Sequence, residues 1–132
     1  MVELSINQAL LQAIEAIKAD KIQLANHLLV AILNVHPQNP SANYNMGLLN
    51  SKIGKVEVAL PFFKAALEAQ PSTPQFWIDY IQTLIKVGNL NEAKAVFVKA
   101  VNNGLTGDAF DRLKIRLTQS NRKPIVVQDP PA

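Results

Sequence analysis

The chain is predicted to be all-α, built from helical hairpins laid side by side, and three observations predict it. Positions return at a constant interval of 34 residues: Gly54 with Gly88, Ala59 with Ala93, Phe63 with Phe97 and Ala66 with Ala100. In the same register Asn43, Met46, Gly47 and Asn50 answer to Trp77, Tyr80, Ile81 and Leu84. Hydrophobic residues make up 48% of the chain but aromatics only 6%, a balance weighted to alanine and leucine that suits helices packed closely through small side chains. Glycine and proline fall at the joints between apolar stretches, where turns are needed.

The elements follow in order. From about Glu3 to Lys18, Leu4, Leu11, Ile14 and Ile17 recur at helical spacing, and Asp20-Lys21 makes a polar break. Ile22 to Val35 carries the stripe Leu24, Ala25, Leu28, Leu29 and Ile32, ended by His36-Pro37, because proline disfavours helix at the residue before it. This first pair repeats the later ones weakly, through Ala9, Gln12, Ala13, Ala16, Asp20, Ala25, Leu29 and Pro37. A degenerate unit is expected at an end, where a repeat has one neighbour instead of two.

The second pair opens at Pro40-Ser41, with Ser41 as its expected N-cap. Its first helix runs to Ile53 and turns at Gly54; its second spans about Val56 to Ala69 and contains Pro61, which predicts a kink or a delayed start. Pro71-Ser72-Thr73-Pro74 is a punctuated turn, with Pro74 suited to the first helical position. The third pair runs Gln75 to Val87, turns at Gly88-Asn89 and continues from Leu90 to Asn102. After Thr106-Gly107-Asp108 a lone amphipathic helix, roughly Ala109 to Gln119, is expected to cover the open face of the last pair. The organisation is therefore repeats at about 6–37, 40–71 and 74–105, a capping helix at about 108–119, and an extended proline-rich tail or linker at 120–132.

The run Trp77-x2-Tyr80-Ile81-x2-Leu84, then Ala93-x3-Phe97, with Pro71 closing the preceding unit, resembles the tetratricopeptide repeat. The resemblance implies a right-handed superhelix whose first helices line a concave, ligand-facing groove. It also implies bacterial relatives in which such repeats often precede a transferase domain, glycosyl-, sulfo- or methyl-. On the first helices the stripe expected to face the groove comprises Tyr44, Asn45, Leu48 and Lys52 in the second unit and Ile78, Asp79, Gln82 and Lys86 in the third. Asn45 matches the asparagine that many members use to bond the backbone of an extended peptide; its equivalents here are Leu11 and Asp79, so the ladder of long arrays has one rung. Lys18, Lys52 and Lys86 form a row, read as solvated lysines near helix ends ahead of a rail for acidic peptides. The carboxylate clamp of chaperone-binding members needs further basic and asparagine side chains around that row, and the set is missing.

Other chemistry is poorly supplied. There is no cysteine, hence no disulfide framework or thiolate site. His27 and His36 are nine positions apart and lack the spacing of a helical metal pair. Asp79 is the only acid on the presumed groove face of the later two units and has no evident acid-base partner, so no catalytic residue, metal or cofactor is expected. Gly104-Leu105-Thr106-Gly107 lacks the lysine of a phosphate loop and reads as a turn. Trp77 and Phe97 read as core.

The net charge of +3 is concentrated at the C-terminal end, in Arg112, Lys114, Arg116, Arg122 and Lys123, without interleaved aromatics, so nucleic acid is an unlikely partner. The polar-interrupted start suggests a cytoplasmic chain with no membrane span. The expected function is a non-catalytic protein- or peptide-binding scaffold. The alternatives are the N-terminal region of a larger bacterial transferase, or self-association through a repeat end or through the tail with its Ile125-Val126-Val127 triplet.

Overall fold

The computed structural model describes residues 4–119, which form seven helices and no strand. These are α1 (Ile6–Lys18), α2 (Ile22–Val35), α3 (Pro40–Lys52), α4 (Val56–Ala69), α5 (Pro74–Lys86), α6 (Leu90–Asn102) and α7 (Asp108–Gln119). They are three hairpins, α1–α2, α3–α4 and α5–α6, with α7 packed on the last. The expected tail at 120–132, with Ile125-Val126-Val127 and the basic pair Arg122 and Lys123, lies outside the described residues.

The helix starts have local causes. Ser5 and Gln8 close a reciprocal capping box: the Gln8 amide donates to Ser5 Oγ at 3.1 Å, and Ser5 N–H donates to Gln8 Oε1 at 2.9 Å. This sets the start of α1 at Ile6, three residues later than the periodicity predicts. The cap of α3 is Asn39 and not Ser41; Asn39 Oδ1 accepts from the Ala42 amide at 2.8 Å. Pro40 takes the first helical position, where no N–H is needed, so the cap falls on Asn39, two residues before the expected Ser41. Pro61 lies inside α4, but the helix starts at Val56, in register with Ile22 of α2 and Leu90 of α6, so no delayed start occurs.

The first helix of every pair ends in the same way. Asp20, Gly54 and Gly88 occupy one repeat position with φ of 59°, 84° and 84°. The amide after each reaches back to the third-last helical carbonyl: Lys21 to Ala16 at 2.8 Å, Lys55 to Asn50 at 2.8 Å and Asn89 to Leu84 at 2.9 Å. These are three Schellman turns, which satisfy carbonyls that the helix end would orphan. Two units use glycine for the left-handed residue, and the first uses aspartate, which fits there less comfortably.

Side chains are shared between the units. One apolar cluster joins Ala13, Ala16, Ala25, Leu29 and Ile32 of the first pair to Ala42, Met46 and Leu49 of α3. The other joins Phe63 and Ala66 of α4 to Trp77, Ile81, Ala93, Ala100, Phe110 and Leu113. The helix α3 serves both, since Tyr44 and Leu48 pack against the second cluster. Ala25, Ala59 and Ala93, one per unit, are all fully buried. Each lets the backbones of a hairpin approach closely.

Candidate functional site

The first helices are tied to one another at a fixed offset. Tyr44 on α3 donates its hydroxyl to the Asp79 carboxylate on α5, 35 residues ahead. Lys52 on α3 reaches back by the same offset to the Ile17 carbonyl of α1 at 2.6 Å. Tyr44 and Lys52 therefore point along the stack, each into a neighbouring unit. That geometry decides which of the expected groove residues lie at the surface.

Asn45 is in the seam. It is only 7% exposed, and its Nδ2 donates to the Ser41 carbonyl of its own helix at 2.8 Å. One of its amide hydrogens is thus used within α3, and burial covers most of the side chain. Ile78 is 9% exposed and belongs to the second apolar cluster. Tyr44 is half-buried, its ring 4.8 Å from Phe76 and 5.8 Å from Phe63. Burial, then the hydrogen bond to Asp79 and its negative charge, push the Tyr44 hydroxyl well above its ordinary pKa of 10.0.

The remaining four of the eight come together. Leu48 from α3 and Asp79, Gln82 and Lys86 from α5 line one cleft, with Ser51, Val56, Phe63 and Thr83 beside them. Its volume is about 210 Å³. The lining mixes apolar Leu48, Val56 and Phe63 with polar and charged side chains. Asp79 is half-buried; its Oδ2 accepts from Tyr44 and, at 3.2 Å, from Gln75 Nε2. Thr83 turns its hydroxyl inward to the Asp79 backbone carbonyl at 2.6 Å, so it presents no donor of its own to the cleft.

The lysine row divides. Lys52 Nζ lies 2.8 Å from Asp20 Oδ1 while it bonds the Ile17 carbonyl, and so clips α3 to the C-terminal end of α1. In the second unit the place of Asp20 is taken by Gly54, so Lys86 has no equivalent partner. The sequence reading missed the clip, and it missed Val56, Phe63 and Thr83 as cleft walls. The 35-residue offset would have found the first; the others depend on how closely α4 approaches α5.

Elsewhere the functional signals are weak. His27 and His36 are exposed, and no group of three or more histidine, aspartate or glutamate side chains is placed to hold a metal among the described residues. Arg112, Lys114 and Arg116 are exposed on α7. Trp77 is core, as its repeat position predicts, and its Nε1 donates to the Pro71 carbonyl at 2.8 Å. No helix among the described residues is long and apolar enough to cross a membrane.

Comparison with known proteins bears on the same helices. Residues 40–73 match the family model described as Tetratricopeptide repeat. The first TPR of Spaghetti (RPAP3), solved bound to the HSP90 peptide SRMEEVD, superposes with a TM-score of 0.74 at 15% identity, over 91% of this chain and 98% of that one. The TPR2B domain of yeast Sti1, from its complex with pHsp70, gives 0.75 at 19% identity, over 88% and 98%. The Sgt2 TPR domain from Aspergillus fumigatus gives 0.77 at 20% identity, over 96% and 88%. No curated protein sequence matches the chain.

Proposed function

We propose that this chain, whose fold is that of tetratricopeptide-repeat domains and whose residues 40–73 match the repeat itself, is a non-catalytic scaffold that holds a protein or peptide segment along its first helices. The single observation that carries the reading is the cleft between α3 and α5, where Leu48, Asp79, Gln82 and Lys86 from two successive units meet over Phe63. Apolar side chains that can receive a ligand's side chain, beside a few polar groups that can set register, are the composition of a peptide-binding surface. Tyr44 and Ile78 act beside it by holding α3 against α5, and Lys52 by holding α3 against α1, while Asn45 is bonded within α3. Two of the similar domains were solved in complexes, one with pHsp70 and one with an HSP90 peptide, which supports a segment of protein as the ligand class.

A catalytic reading finds less support. The carboxylate in the cleft is hydrogen-bonded to a phenol and an amide, and neither is matched to relay a proton at neutral pH. A cytoplasmic setting belongs to the proposal.

The test is selection of a displayed random-peptide library against the chain, with Leu48→Arg as the control that fills the cleft. Peptides retained by the parent and lost by Leu48→Arg, at similar melting temperatures, are the expected result. Equal retention by both proteins would move the binding surface elsewhere.

A second reading has its own observation. Between α6 and α7 an open hollow of about 360 Å³ is lined by Phe97, Val98 and Leu117 with Lys94 and Lys114 at its rim; Val98 is 56% exposed. Self-association through that end predicts concentration-dependent mass in sedimentation, and a strict monomer excludes it.

A further inference from the structure

We infer that the cleft reads charge order, selecting segments in which a basic and an acidic residue stand about three positions apart around an apolar one. This rests on the reading of the cleft as the binding surface and adds the chemistry of its ligand.

Two uncompensated charges of opposite sign lie on the same helix. Asp79 has neutral hydrogen-bond partners only, both on Oδ2, and forms no ion pair among the described residues. Its equivalents Asn45 and Leu11 are uncharged. Lys86 likewise forms no ion pair among the described residues, whereas its equivalent Lys52 is neutralised by Asp20. Lys55 and Glu57, in the hollow beside Lys86, offset each other in charge. The cleft is thus nearly neutral in sum and polarised along its length, carboxylate at one end and ammonium at the other.

The spacing sets the ligand's register. Asp79 and Lys86 are seven residues apart on α5, about 10 Å along the axis at ~1.5 Å per residue, too far for direct pairing. An extended segment rises ~3.3 Å per residue, so about three residues span the same distance. The partly exposed Leu48 lines the same cleft and would receive the intervening apolar side chain, while Phe63 borders the cleft almost fully buried. Such a ligand differs from an all-acidic peptide, which Asp79 would repel.

The same displayed library tests this. Sequences that need an open cleft should be enriched at least fivefold in a basic–acidic pair at spacing three, in one order only. Asp79→Lys combined with Lys86→Glu should select the reverse order. Asp79→Asn combined with Lys86→Gln, which keeps an acceptor for Tyr44 and Gln75, should select no order, and should bind the parent's consensus peptide about two- to fivefold more weakly in fluorescence anisotropy. Cleft-dependent peptides without a charge order, or the same order from the swapped protein, would overturn the inference and leave the binding surface standing. Retention that Leu48→Arg does not reduce would sink both.

Discussion

The second and third helix pairs occupy the same repeat register and solve the same packing problem with different residues. In the second, Gly47 gives up its side chain so that the Phe63 ring can lie on the backbone of α3; a Cβ there would come within 2.6 Å of the ring. In the third, Ile81 fills that space, and Phe97, the equivalent of Phe63, is only half-buried. Volume has moved from one helix of the hairpin to the other. The lesson is that a repeat position specifies a summed volume across the pair more than it specifies a residue. Polar bonding shows the same exchange. Asn43 and Trp77 are equivalent, and each donates to the carbonyl of the proline six residues before it: Nδ2 to Pro37 at 3.0 Å, Nε1 to Pro71 at 2.8 Å. An amide and an indole do one job, which is to anchor the incoming turn to the first helix.

Replacing the two phenylalanines should give the largest contrast. Phe63→Ala is expected to lower unfolding free energy by about 3–5 kcal/mol, because a fully buried ring is removed, and Phe97→Ala by less than half of that. Equal losses in denaturant unfolding would mean the third pair is packed as tightly as the second. Next comes Gly47→Ala, expected to cost about 1–3 kcal/mol through overpacking. Adding Phe63→Leu should recover most of the loss, since Ala13 with Leu29 is the combination the first pair already uses. Failure of that rescue would refute the idea of a summed volume.

Smaller effects sharpen the polar side of the comparison. Trp77→Phe and Asn43→Ala each leave a proline carbonyl without its donor, and each is expected to cost about 1 kcal/mol or somewhat more. If Asn43→Ala is neutral while Trp77→Phe is not, the shared anchoring role fails for the second pair. For Tyr44 the folded protein holds the proton more tightly than the unfolded chain, so its contribution is fully present below pH 10.0 and is lost as pH rises beyond that value. The urea midpoint should fall between pH 9 and pH 11, and should fall less in Tyr44→Phe. Tyr80, also raised by burial first and then by Glu92 and Glu68, accounts for part of the remainder. The smallest change is Asp20→Gly, which relaxes a left-handed residue but releases Lys52; a melting temperature within about 2 °C of the parent is expected.

Much of the architecture was legible before any coordinates. The interval from Gly54 to Gly88 and from Ala59 to Ala93 locates the hairpins, because each hairpin must present the same face to its neighbour. The caps were less legible: Ser41 and Asn39 are both competent, and the choice fell to Pro40 taking the first helical position. Least legible was the exposure of the groove stripe. Leu48, Asp79, Gln82 and Lys86 line one cleft, but Asn45 and Ile78 are buried, and Lys52 is tied to Asp20.

By itself the sequence determined the period, the all-helical composition and the residues that must turn inward within each hairpin, because these follow from spacing along one chain. Which side chains remain at the surface between hairpins was decided only by tertiary structure. That outcome depends on the offset at which one unit stacks on the next, and a shift of one position along a helix turns a side chain by about 100°, enough to move it from a binding surface into a buried seam.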